Sequence, residues 1–207
     1  MYFRRFILGA VACAPMLAAF SGAAQAQQVP ADAAKAFITR SGQQLVNIVN
    51  SSASTSQKAD QLHQLVEQIV AVDKIGDYVL GRYINVATPA QHTKFLQLFH
   101  QLLSYNITFQ IKAYQGLTFV VNSAAPMGND IVVDTTVTSP GKAPADVGWA
   151  VEEVNGAPKI VDVIVAGTSL RITTRNDYAS VVTDNGGAVS ALLTAMQHQV
   201  TKVADAR

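Results

Sequence analysis

Cysteine is nearly absent from this chain of 207 residues: Cys13 is the only one. A lone cysteine forms no internal disulfide and no Cys-x-x-Cys zinc or redox pair. Histidine is scarce as well. His63, His92, His100 and His198 make no HExxH motif and no pair spaced four apart, so no metal site is read. His92 and His100 would stand roughly 12 Å apart along a helix, too far to share an ion. Charge of one sign is lacking too. With 15 basic and 14 acidic residues the formal charge is +1, which provides no basic face for a nucleic acid. Catalytic signatures are equally thin. Gly167-Thr168-Ser169-Leu170 is not a GxSxG turn, no glycine loop suits a phosphate, and the adjacent Glu152 and Glu153 point to opposite faces of a strand.

Long hydrophobic runs are missing except at the start. Phe6 to Phe20 is apolar but shorter than the about 20 residues a membrane helix needs. Arg4 and Arg5 precede it, and Ala24-Gln25-Ala26 closes it. This is the pattern of a secretory signal, with cleavage expected after Ala26. A lipoprotein reading through Cys13 has a poor acylation context in Ala10-Val11-Ala12. Loss of the leader removes Cys13, Arg4 and Arg5, and so turns the formal charge from +1 to −1. One domain is expected over residues 27–207, stabilised by its core alone.

Periodicity predicts helices first. Ala31 to Asn50 spaces Phe37, Ile38, Leu45, Val46, Ile48 and Val49 helically, and the polar run Ser51 to Gln57 breaks it. A second helix carries Leu62, Leu65, Val66, Ile69 and Val70, and a short third one spans Asp73 to Tyr83. Thr88-Pro89-Ala90-Gln91 has the threonine, proline and glutamine of a capping box. From it a helix is predicted over Pro89 to Tyr114, with Phe95, Leu98, Phe99, Leu102, Leu103, Ile107, Ile111 and Tyr114 recurring every three or four residues. Strands follow at Leu117–Val121, Ile131–Val137, Val147–Val154 and Ile160–Val165, separated by the breaks AAPMGND, SPGKAPAD and NGAP. Short connections of that kind make neighbours antiparallel. A last helix follows Gly186-Gly187, with Ala188, Leu192, Ala195 and Met196 on one face. The fold class is α+β: a curved antiparallel sheet of about four strands, with helices packed on one side around an apolar pocket.

Alternation puts Val147, Trp149 and Val151 on one sheet face, and likewise Val161, Val163 and Val165. Core and pocket share this pattern. An acid inside such a cone, Asp134 or Asp162, could abstract a proton from a steroid-like ligand, an isomerase-like reading. The plainer reading places both acids on the outer face or beside an arginine.

Lys159-Ile160-Val161-Asp162-Val163, Ala166-Gly167-Thr168-Ser169-Leu170, and Arg175 with Tyr178 resemble, in order, the WKI-x-DV, G-x-SL and YR-x-x-F blocks of the MlaC (toluene-tolerance) family. Ile75 to Gly81 is similar to that family's short helix ending in LG, and Thr88 to Phe99 to its TP-x-Q-x-x-x-F-x-x-x-F helix. Pro158, Thr174 and Tyr178 depart from the usual tryptophan, tyrosine and phenylalanine. The resemblance implies a periplasmic lipid carrier, not an enzyme, with no cofactor and no metal. Its cargo would be a phospholipid or a hopanoid-like lipid. It would shuttle between an outer-membrane lipoprotein complex and an inner-membrane ABC transporter with a lipid-binding periplasmic subunit. Candidate pocket residues are Phe95, Phe99, Leu102, Leu103, Val133, Trp149, Val151, Val163 and Leu170. A non-lipid adaptor, whose apolar interior is simply core, is the third reading.

Arg171 and Arg175 are four apart, and the resemblance puts them on one helix face. A cation in a first turn opposes the helix dipole, so Arg171 should have an acidic partner or lie in solvent. Arg175 is expected to pair with Asp162 and tie helix to sheet. Head-group or partner contact is the competing role for these arginines.

Overall fold

A computed structural model describes residues 28–109 and 115–205. The expected leader, Ile111 and Tyr114 lie outside the described residues.

The first helix, α1, spans Ala31–Asn50, as the spacing predicts. α2 (Thr55–Ile69) starts on a capping box in which Ser54 and Gln57 exchange side-chain and backbone hydrogen bonds. Buried Lys58 donates to the carbonyl of Val49 at 2.9 Å, setting a cation on the negative end of α1. α3 (Val72–Leu80) ends at Gly81, whose φ of 56° a side chain would strain, and a 3-10 turn continues to Asn85. α4 runs Pro89–Phe109. Its capping box forms as read: Thr88 Oγ1 accepts from the Gln91 amide, and Gln91 Oε1 accepts from the Thr88 amide.

Four long strands and a stub make one curved, unclosed antiparallel sheet in sequential order: β1 (Thr118–Met127), β2 (Asp130–Thr138), β3 (Ala145–Val154), β4 (Ala157–Val165) and β5 (Thr168–Ser169). Two departures from the expected strands have local causes. β1 continues through Ala124-Ala125-Pro126 to Met127, so the break shrinks to Gly128-Asn129. Proline is tolerated there because β1 is an edge strand. The stub β5 was not expected; Ala166 and Gly167, at φ of 48° and 78°, turn β4 back on itself within two residues. α5 (Leu170–Asp184) starts under an N-cap from Ser169, whose Oγ accepts from the Ile172 amide. α6 (Val189–Asp205) closes the described chain.

Alternation assigns the two sheet faces. Ile131, Val133, Val151 and Ile160 pack under Ala34, Phe37 and Ile38 of α1. Val132 and Ala150 point the other way and meet Ala71. The expected single face of Val161, Val163 and Val165 is broken by a bulge: Ala150 pairs with Asp162, but Val151 pairs with Ile160. The extra residue, Val161, turns over to join Ala71, while Val163 stays with the α1 side. The helices build their own core from α2, α3, α4, α5 and α6, centred on Phe95, Leu98, Leu80, Val182, Leu192 and Met196.

Candidate functional site

The apolar candidates fall into two separate clusters. Phe95, Phe99 and Leu102 are buried in the helical core. Phe95 lies 5.9 Å from the Phe99 ring and edge-on to Tyr178 at 6.1 Å. Leu103 is half-buried against the same cluster. Val133 and Val151 are sealed beneath α1, with Trp149 and Val163 half-buried beside them. The candidates expected to share one pocket thus pack in two clusters, one helical and one beneath α1. Within α4 the stripe turns toward α3, α5 and α6, since Gly76 lacks the Cβ that would hold α3 off Leu96 and Phe99. Val70 alone packs against both clusters among the described residues. It also bridges to Ile160 at the edge of β4. The two cores therefore meet along a narrow seam. Leu170 belongs to neither and is 46% exposed, beside the equally exposed Ile172.

The polar candidates gather at the start of α5, in an arrangement different from the one expected. Asp162 is buried and accepts hydrogen bonds from the Arg171 amide at 3.0 Å, the Val163 amide at 2.8 Å and the Ser169 hydroxyl at 2.5 Å. Its guanidinium partner is Arg171, with Nε at 3.4 Å, rather than Arg175. Arg171 also reaches Asp130 at 2.7 Å through Nη2. The physical reason is position along the helix. The β5 turn delivers the first turn of α5 onto the sheet face that carries Asp130 and Asp162, whereas Arg175 stands one turn, about 6 Å, farther on. The dipole argument holds: a carboxylate receives the helix N-terminus, and the misplaced cation Arg171 has acidic partners.

Arg175 instead lies over Tyr78 of α3, with its guanidinium carbon 5.0 Å from the ring centroid, and Arg171 lies over the same ring at 4.8 Å. A Cβ on Gly81 would come within 2.9 Å of Arg175 Nε, so glycine is required there for space as well as for its φ. Tyr78, Gly81 and Asp130 escaped the sequence reading. Tyr78 and Gly81 sit inside the Ile75–Gly81 block, but nothing in their spacing points to an arginine about ninety residues away.

Asp134, the other acid considered for proton abstraction, is exposed and accepts from Ser123 Oγ at 2.7 Å. Among the described residues no cluster of histidine, cysteine and acids could hold a metal ion. His100 nonetheless joins three helices, with Nδ1 at 3.0 Å from Glu67 of α2 and Nε2 at 2.8 Å from Asp73 of α3. Partial burial pulls its pKa down, but the hydrogen bonds to Asp73 and Glu67 and their charges outweigh this and leave it raised. Burial also pushes the Tyr178 phenol up to about 12, with help from Asp177.

The family described as MlaC protein matches residues 39–198. No match is found among curated proteins. Among solved structures, the phospholipid-binding protein from Ralstonia solanacearum, solved in complex with a phospholipid, is similar with a TM-score of 0.72 and 22% identity. The alignment covers 83% of this chain and 98% of that one. At that identity the likeness is one of fold.

Proposed function

The chain belongs to the MlaC family, and on that footing we propose that it is a phospholipid carrier of the periplasm. The family match over residues 39–198 carries this reading, and the shared fold with a phospholipid complex supports it. In this reading residues 1–26 direct export. The mature domain receives lipid from an outer-membrane lipoprotein complex and exchanges it with an inner-membrane ABC transporter whose periplasmic subunit also binds lipid.

Acyl chains would enter where the helical core meets the α1-covered sheet. Trp149 and Val163 are half-buried against the sheet cluster and Leu103 against the helical one, and in this reading they line the entrance. Val133, Val151, Phe95, Phe99 and Leu102 would form the walls behind. A chain of about fifteen methylenes gains on the order of 12 kcal/mol on leaving water at about 0.8 kcal/mol each, enough to drive the two cores apart where they touch through few side chains. The work needs apolar surface and no reacting group, so binding rather than catalysis fits the residues. Asp162 is fully engaged by Arg171, Ser169 and two backbone amides, and Asp134 is exposed, so neither acid of the isomerase-like reading favours it.

Native mass spectrometry of the chain purified from a bacterial periplasm without detergent tests the proposal. A bound mass matching a phospholipid, released on denaturation, is expected. A protein that stays bare after incubation with phospholipid vesicles would overturn it.

A further inference from the structure

We propose that the guanidinium of Arg175 and the hydroxyl of Tyr78 form an oxyanion site for a phosphate ester, the head-group phosphate of the bound lipid. The inference rests on the carrier reading for the source of the phosphate, but not for the site itself.

Two arginines share one aromatic ring here, yet only one of them is engaged. Arg171 faces Asp130 and Asp162. Arg175 makes no hydrogen bond or ion pair to any described residue, and neither does the Tyr78 hydroxyl; both side chains are half-buried. Asp130 and Asp162 hold Arg171, and Asp77, next to Tyr78, is bound to His92 at 2.7 Å. Asp177 is two residues beyond Arg175 on α5, so it does not share its face.

Such a guanidinium has a planar fork of donors with no acceptor among the described residues. That fork fits two oxygens of a phosphate, which a point-charge ammonium does not match. The site is also held in place before a ligand arrives. The Tyr78 ring supports the guanidinium from one element, and the Cβ-less Gly81 lets it lie against the end of α3. The carbonyl end of α3 favours a cation there, which lets Arg175 remain without an acid. Tyr78 Oη, on the ring that carries the guanidinium, adds a neutral donor. A phosphate bound here would meet the positive charge of Arg175, which no acid among the described residues pairs.

The full chain and two variants test this. Arg175→Lys keeps the charge over α3 but loses the fork, and Tyr78→Phe keeps the ring under both arginines but loses the hydroxyl. The first readout is titration with inorganic phosphate, followed through the Nε–Hε signal of Arg175 by NMR. The second is loading from vesicles of phosphatidylethanolamine and phosphatidylglycerol against loading with diacylglycerol, which has the tails but no phosphate. Phosphate should shift the Arg175 signal in the wild type, and Arg175→Lys should bind it about tenfold more weakly. The same variant should lose phospholipid loading relative to diacylglycerol, and Tyr78→Phe should show a smaller loss in the same direction. An unmoved Arg175 signal overturns the proposal. So does a wild-type ratio of phospholipid to diacylglycerol in both variants, which would leave the carrier reading intact. If the wild type loads neither lipid while phosphate still titrates Arg175, the carrier reading fails and the site stands with free phosphate as its ligand.

Discussion

Arg171 and Asp162 meet twice: the backbone amide of Arg171 donates to Asp162 Oδ1 at 3.0 Å, and its guanidinium Nε lies 3.4 Å from Oδ2. One carboxylate thus caps α5 and neutralises the cation that α5 carries in its first turn. Removing it takes the facing carboxylate from Arg171 Nε, which is buried and has no hydrogen-bond partner of its own, and leaves the guanidinium on Asp130 alone.

Asp162→Ala should therefore destabilise the fold by about 1–3 kcal/mol, the cost of leaving buried donors without their acceptor, while Asp130 keeps the charge of Arg171 paired. Arg175→Gln should cost far less, because no acid depends on it. Urea denaturation of the two variants checks the contrast. Equal losses would contradict the assignment of Arg171, rather than Arg175, as the helix-to-sheet tie.

His100 predicts a pH dependence. Only the imidazolium can donate to Glu67 and Asp73 at once. Its folded pKa is raised, so its contribution is fully present below the unfolded value near 6.5 and is lost as pH rises through the folded pKa. The melting temperature should fall over that interval in the wild type. His100→Gln should flatten that part of the curve, and an unchanged slope would show that the three-helix clamp contributes nothing.

Gly42 sets how closely α1 approaches the sheet. A Cβ there would lie 2.3 Å from Cζ of Phe119 on β1. Gly42→Val should thus push α1 off β1 and cost about 1–3 kcal/mol, as overpacking does. Shortening Phe119 to Leu in the same chain should recover part of the loss. No recovery in thermal melts would mean that the contact does not limit the approach.

The division of the apolar candidates separates stability from binding. Phe95→Ala opens a void in the helical core and should cost about 3–5 kcal/mol. Trp149→Ala acts on a half-buried side chain of the proposed lipid path, so it should reduce phospholipid loading with a smaller loss of stability. Loading by native mass spectrometry beside chemical denaturation of both variants separates the two. Equal loading per folded molecule in wild type and Trp149→Ala would remove Trp149 from the proposed lipid path.

Local sequence settled much of this protein: the limits of α1, the Thr88–Gln91 cap of α4, the helix after Gly186-Gly187 and the antiparallel sheet all follow from periodicity, capping chemistry and short turns. These are interactions between residues a few positions apart, so a linear reading reaches them. The family blocks were also legible, because their order along the chain carries the signal. Contacts across long separations were not. The bulge at Val161 reverses one side chain without changing the alternating pattern of valines around it. Arg171 and Arg175 are equivalent by spacing, yet one meets the sheet acids and the other a tyrosine, because the turn at Ala166-Gly167 sets where α5 begins. Apolar periodicity likewise marked Phe95 and Val133 as buried, but it cannot say which core each one enters. Only the packing of helices on helices, and of α1 on the sheet, decides that.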